Sequence, residues 1–296
     1  MTSKTRAEGV LLALTLVWGS TFVVGKFVLQ NLSPLQMIAF RFILSTVFLL
    51  VFFSRRIFPL TKRQIVRGGI LGVFLFLGFV AQTVGLTLTT ASKSAFITAM
   101  MVVFVPLLQV IIERRSPKLG NLAGVAVVSA GLWLLTSPSG SSFNAGDALT
   151  VLCAVLFAIY IVYIDVVAHD MSAMQLTFLQ MASNAILAVG GTLLFDRAPS
   201  GVPPGTLAAV LYLTLFATII TTFLQTRYQK ETTPTRAAII FTIEPVVAAV
   251  SAAAFLGEQI GVGGAVGGGL IVGGVLLSEL SEGIPLLNRS FGPADS

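Results

Sequence analysis

The chain has 296 residues, 55% of them hydrophobic and only 10% charged, with a mean hydropathy of +0.95. A soluble domain carries about 25% charged residues, so no water-facing surface can be covered here and the composition defines an integral membrane protein. The net charge of +6 would suggest a nucleic-acid partner in a soluble chain. Here the basic residues lie between apolar runs, where the positive-inside rule accounts for them, and no nucleic acid is expected.

Apolar runs of roughly 20 residues, the length a bilayer requires, predict ten spans. They lie near 8–29, 34–53, 67–88, 92–113, 118–136, 146–168, 172–195, 204–226, 235–256 and 260–280. The first run follows Lys4 and Arg6 but is too long for the apolar region of a signal peptide, and no small-residue cleavage pattern follows. Breaker residues fill the gaps, as at Asn31 to Pro34, Pro59 to Arg63, Pro138 to Gly146 and Thr232 to Pro234. The expected class is all-α: a first five-helix repeat over 8–136, a second, inverted one over 146–280, and a polar tail over 281–296.

Charge sets the direction. With the N-terminus in the cytoplasm, fourteen of the 18 Lys and Arg residues fall on inside segments; Lys93 and Arg197 fall outside, and Lys26 and Arg41 within spans. An even number of spans then places the C-terminus inside as well.

A shift of 139 residues lays Thr15–Arg41 over Ala154–Gln180, so that Trp18 meets Phe157, Ser33 meets Ser172 and Gln36 meets Gln175. Ser94–Ile97 lies over Arg236–Ile239 with a three-residue slip. Five spans per repeat is an odd number, so the second half must enter from the opposite side. Inverted repeats characterise secondary transporters, in which two half-structures exchange conformations around one site. A channel, or a membrane subunit that transports nothing, is the alternative.

Trp18-Gly19-Ser20-Thr21-Phe22 in span one, Arg41-Phe42 in span two, Ser94-Ala95-Phe96-Ile97-Thr98 with Pro106 in span four, and Glu244-Pro245-Val246 with Leu256-Gly257-Glu258 in span nine together resemble the drug/metabolite transporter superfamily, specifically its EamA-like ten-helix exporters. The resemblance covers residues 8 to 280. It implies a basket of helices in the plasma (bacterial inner) membrane, with spans five and ten peripheral and spans one, three, four, six, eight and nine around the path. It also implies export of amino acids, other metabolites or toxic compounds without ATP. Phe157-Ala158-Ile159 departs from Trp-Gly-Ser, so site residues cannot be copied between halves.

Ionisable groups inside a bilayer are costly, by about 2.5–3.5 kcal/mol on insertion scales. Glu244 sits near the midplane and precedes Pro245, which frees a carbonyl one turn earlier. It reads either as a substrate-amine ligand or proton carrier, or as a carboxyl that braces the kink. Arg41 is too deep to reach the headgroups; it attracts a carboxylate or locks helix packing. Lys26 is within snorkelling reach. Asp165 reads as an inner-rim charge with a possible gating role, and a contact of Glu258 with Lys26 or Arg41 is a further expectation. With Arg41 and Glu244, the candidate cavity walls are Trp18, Thr21, Gln82, Thr98, Met101, Tyr160, Tyr163, Thr222 and Gln225. Their composition suits an amphipathic solute better than a bare ion.

The glycines of spans five and ten, at spacings such as Gly120 to Gly124, suit close helix packing. Enzyme chemistry has no support: the one cysteine, Cys153, and the one histidine, His169, form no metal or nucleophilic constellation, and no nucleotide domain fits. No cofactor is expected. The expected partners are a small solute, lipid and, as a coupling ion, protons, with the monomer as the functional unit.

Overall fold

The computed structural model describes residues 3–114, 116–136, 143–197, 199, 201–259, 261–281, 284, 287 and 289. Arg115, much of the predicted loop before Gly146 and most of the predicted tail lie outside these residues. Among the described residues there are helices and no strands. Span one is α1 (Ser3–Val28), span two α2 (Pro34–Ile57) and span three α3 (Lys62–Leu88). Span four is broken into α4 (Ala91–Ala99) and α5 (Met101–Glu113); span five is α6 (Leu119–Thr136). In the second half follow α7 (Ala145–Val167) and α8 (Ala173–Phe195). Span eight is α9 (Pro204–Thr214), a π-helical turn (Leu215–Ile220) and α10 (Thr221–Tyr228). Span nine is α11 (Pro234–Phe241) and α12 (Glu244–Leu256), and span ten α13 (Val262–Leu280). Among the described residues, eight spans are long and apolar enough to cross a bilayer, and the fifth and tenth are shorter apolar helices. Together they form an all-helical, ten-helix membrane protein. Span three begins five residues earlier than the apolar pattern predicts, because Thr61 and Gln64 form a capping box that starts the helix in its polar approach.

Local chemistry fixes the helix starts, and it repeats. Ser33 with Gln36 and Ser172 with Gln175 form capping boxes at equivalent places in the two halves. Thr90 caps α4 by accepting from the Lys93 N–H, and Thr233 caps α11 by accepting from the Arg236 N–H. These caps correct the register of the fourth and ninth spans: Thr90 matches Thr233, so the slip is four residues rather than three and Lys93, not Ser94, meets Arg236. The same offset carries Arg114 (φ 56°) onto Gly257 (φ 70°), the left-handed residues that end α5 and α12.

The breaks in spans four and nine are also equivalent. At both, the backbone tightens to three-residue hydrogen bonds: Met100 N–H donates to the Ile97 carbonyl, and Thr242 and Ile243 N–H groups donate to those of Ile239 and Ile240. In span nine Pro245 has no N–H to offer the Phe241 carbonyl, so the helix restarts at Glu244. In span four Pro106 lies inside α5 itself, and the turn at Met100 falls before it.

Close approach rests on glycine. A Cβ on Gly85 would lie 2.8 Å from the Gly146 carbonyl oxygen, and one on Gly146 2.8 Å from that of Gly85, so α3 and α7 touch backbone to backbone. α6 and α13 pair in the same way, with the Gly124 and Gly274 positions each 3.0 Å from the other's carbonyl oxygen. That pair stands at the edge of the bundle. The Leu287 carbonyl accepts from the Gly120 N–H and the Arg289 carbonyl from the Leu119 N–H, so this part of the predicted tail is tied to the start of α6. Large apolar side chains such as Ile186, Leu194, Phe195 and Phe255 face outward, as lipid permits.

Candidate functional site

Where the two broken helices meet the other spans, the bundle lines a partly open cavity of about 70 Å³. By the same measure a water needs about 10–15 Å³, so a larger solute fits only where the half-open cavity widens. Its walls are Trp18 and Thr21 from α1, Arg41 from α2, Leu75, Phe79 and Gln82 from α3, and Thr98 and Met101 from either side of the first break. The second half adds Phe157, Tyr160 and Ile161 from α7, Ala217, Thr222 and Gln225 from span eight, and Phe241 and Glu244 from either side of the second break.

The wall is built from repeat-equivalent positions. Offset by 139 residues, Trp18 pairs with Phe157 and Thr21 with Tyr160; offset by 143, Phe79 pairs with Thr222, Gln82 with Gln225, Thr98 with Phe241 and Met101 with Glu244. The pseudo-twofold axis therefore passes through the cavity. The charges break the symmetry: Gln180 stands opposite Arg41, and Met101 opposite Glu244.

Arg41, only 4% exposed, is held in place by a widened helix. In the π-helical turn of span eight the Thr218 hydroxyl donates to the Leu213 carbonyl five residues back (2.7 Å). Its oxygen then accepts from Arg41 Nε (3.2 Å) and Nη2 (2.9 Å). The guanidinium lies over the Phe79 ring at 5.0 Å and the Phe42 ring at 5.7 Å from the centroids. These contacts orient the cation without neutralising it. π-turns recur at functional sites because they aim side chains that a regular helix would turn away.

The opposite wall is an amide and phenol network. Tyr160 donates to Gln180 Oε1 (2.7 Å), Gln180 Nε2 donates to Thr226 (3.2 Å), Gln225 Nε2 donates to Gln229 Oε1 (2.9 Å), and Gln229 Nε2 donates to the Ile161 carbonyl (2.7 Å). Gln82 Nε2 donates to Thr98 Oγ1 (3.3 Å), linking α3 to the break in span four. Trp18 meets Phe241 edge-on at 5.2 Å.

Ten of the eleven predicted wall residues meet at this cavity: Trp18, Thr21, Arg41, Gln82, Thr98, Met101, Tyr160, Thr222, Gln225 and Glu244. Tyr163 does not. It packs edge-on against Phe74 of α3 at 6.4 Å, because three residues on from Tyr160 falls about 60° short of a full turn. Asp165 lies partly buried two residues from the end of α7, away from the cavity, and Pro245 is buried behind Glu244. Glu258 does not contact Lys26 or Arg41; it binds the start of α4, accepting from the Ala91 and Ser92 N–H groups (3.1 and 3.3 Å) and the Ser92 hydroxyl (2.5 Å).

Two ion pairs near the span ends escaped the sequence reading. Arg236 Nε is 2.8 Å from Glu8 Oε1, and Lys93 Nζ is 2.6 Å from Asp147 Oδ2. The 139-residue shift that aligns Trp18 with Phe157 also aligns Glu8 with Asp147, and that was the available signal. The apolar walls Leu75, Phe79, Ile161 and Ala217 carry no such mark, since hydropathy does not separate a cavity wall from core.

A ten-span bundle with a largely apolar cavity, carrying a few polar groups, at the break of two equivalent helices is the architecture of a membrane transporter. The chain belongs to the EamA-like transporter family, whose model matches it twice, over residues 6–137 and 144–280. It is 30% identical to an uncharacterized transporter of Archaeoglobus fulgidus over 84% of this chain and 77% of the relative. It is 25% identical to the uncharacterized inner membrane transporter YedA of Escherichia coli K12, over 85% and 83%. A solved crystal structure shares the fold with a TM-score of 0.78 over 94% of this chain and 97% of its own, at 17% identity.

Proposed function

We propose that the protein is a secondary exporter of small zwitterionic, amphipathic solutes of the amino-acid type, working by alternating access in the inner membrane with both termini in the cytoplasm. The observation that carries this reading is the cavity itself. One oriented guanidinium, Arg41, and one carboxylate, Glu244, line it from opposite halves of the chain, amid Trp18, Phe79, Phe157 and Phe241. Arg41 would hold the solute carboxylate and Glu244 its ammonium, while the rings take the apolar part. The name of the YedA relative supports the inner membrane, and the Lys and Arg distribution supports the orientation.

Glu244 also provides a place for a coupling proton, since a carboxylate that binds a proton or an ammonium, but not both, links the two fluxes. Reconstituted liposomes with a panel of amino acids and amphiphiles, with and without a pH gradient, test the proposal. Counterflow of apolar amino acids, accelerated by the gradient and losing that acceleration in Glu244→Gln, is the expected result. Transport of nothing in the panel would defeat the substrate reading, and ion currents near the diffusion limit would make the protein a channel.

A further inference from the structure

The two buried ion pairs are copies of one another. Glu8 lies in the second turn of span one and Asp147, its repeat equivalent, in the first turn of span six; Arg236 and Lys93 each stand three residues after the threonine caps of spans nine and four. Because successive spans reverse direction, the starts of spans one and nine share the face of the N-terminus, and the starts of spans four and six share the opposite face. The side chains of Arg236, Glu8 and Asp147 are at most 7% exposed and that of Lys93 14%, so both pairs are shielded from water.

A second contact repeats beside each pair. On the N-terminal face the Thr235 hydroxyl donates to Gln109 Oε1 (2.6 Å) near the end of span four. On the opposite face the Ser92 hydroxyl donates to Glu258 Oε2 (2.5 Å) at the end of span nine. Thr235 and Ser92 are again repeat equivalents. Each set ties the first turn of one broken helix to its neighbours, on opposite sides of the cavity.

We propose that these sets are two matched latches: Glu8–Arg236 closes the cavity toward the N-terminal face and Lys93–Asp147 closes it toward the other. Both are formed in this structure. Opening moves the first turn of span nine or of span four about the break at Thr242–Ile243 or Met100, and the pseudo-twofold makes the two motions equivalent. A charge pair suits the purpose, because burying it costs desolvation that offsets much of its attraction, and water solvates both charges again once the helices part. The inference rests on the alternating-access part of the proposed function and not on the choice of solute.

The test reads cavity access and needs no substrate. In a Cys153→Ala background, Met101→Cys places a single thiol in the cavity wall, and an impermeant maleimide is applied from either face, using intact cells and inverted vesicles. Replacing both partners at once avoids a stranded charge. Glu8→Gln with Arg236→Gln should raise labelling several-fold from the N-terminal face, and Lys93→Gln with Asp147→Asn several-fold from the other. The swap Glu8→Arg with Arg236→Glu should return labelling toward the parent level. Folded variants, judged by monodispersity and melting, that leave labelling unchanged or shift it to the same face for both pairs would overturn the proposal. Should a neutralised pair fail to fold, the swapped pair decides: wild-type folding with open access from both faces also overturns it. Failure to transport amino acids with side-specific labelling intact would sink the solute reading alone.

Discussion

Arg41 works through its supports. Thr218 accepts two of its N–H bonds, and the Phe79 ring fixes the plane of the guanidinium. Arg41→Lys keeps the charge but loses the fork and the stacking geometry. Loss of a charge-assisted contact of about 1.5–3 kcal/mol predicts a solute affinity lower by roughly 10- to 100-fold, measured as the KM of counterflow. Thr218→Val keeps the shape of the side chain and removes the acceptor. It should raise KM less, by about 10-fold, and lower stability by roughly 1 kcal/mol, read in thermal melts. Unchanged KM in both variants would make Arg41 a packing residue. The depth of Arg41 and Glu244 was legible from the sequence, because a charge inside an apolar run stands out. In the sequence Thr218 is only one of three threonines at helical spacing, with Thr221 and Thr222; its role depends on a π-turn, which no periodicity announces. Tyr163 shows the converse, a polar aromatic at plausible spacing that the neighbouring α3 claims for packing.

Among elements, spans four and nine carry the most information. The break in span nine could be read from Glu244-Pro245. The one in span four could not, because its proline, Pro106, lies six residues past the turn at Met100. The helix ends differ in cost. Arg114 adopts φ 56° where its equivalent is Gly257, and a side chain in that region costs about 1–2 kcal/mol. Arg114→Gly should therefore raise the melting temperature by a few degrees, and a lower one would mean that the arginine side chain outweighs the strain. The glycine contacts give a prediction of opposite sign. A Cβ on Gly19 would lie 2.5 Å from the Cβ of Val247 and 2.8 Å from the Glu244 carbonyl oxygen. Gly19→Ala must push α1 from α12 at the second break, which should cost about 1–3 kcal/mol of stability and most of the transport. Gly124→Ala, in the peripheral α6–α13 pair, should lower stability while leaving the KM of the folded fraction unchanged.

At the scale of the molecule, ten spans and their inverted halves were legible because a bilayer demands long apolar helices and because five is odd. The register between halves was less so: helix caps, not side-chain identity, set the four-residue slip. The cavity follows from the symmetry, since six pairs of equivalent positions converge on it. Its chemistry follows from the breach of that symmetry, with one cation on the first half and one carboxylate on the second. The central claim is that these two charges read the two ends of a zwitterion. The most direct measurement is counterflow of one apolar amino acid against its carboxamide and its N-acetyl analogue, in the parent protein, Arg41→Gln and Glu244→Gln. The parent should prefer the zwitterion, Arg41→Gln should lose discrimination against the carboxamide only, and Glu244→Gln against the N-acetyl analogue only. Equal transport of all three by the parent, or loss of both discriminations together in either variant, would contradict the account.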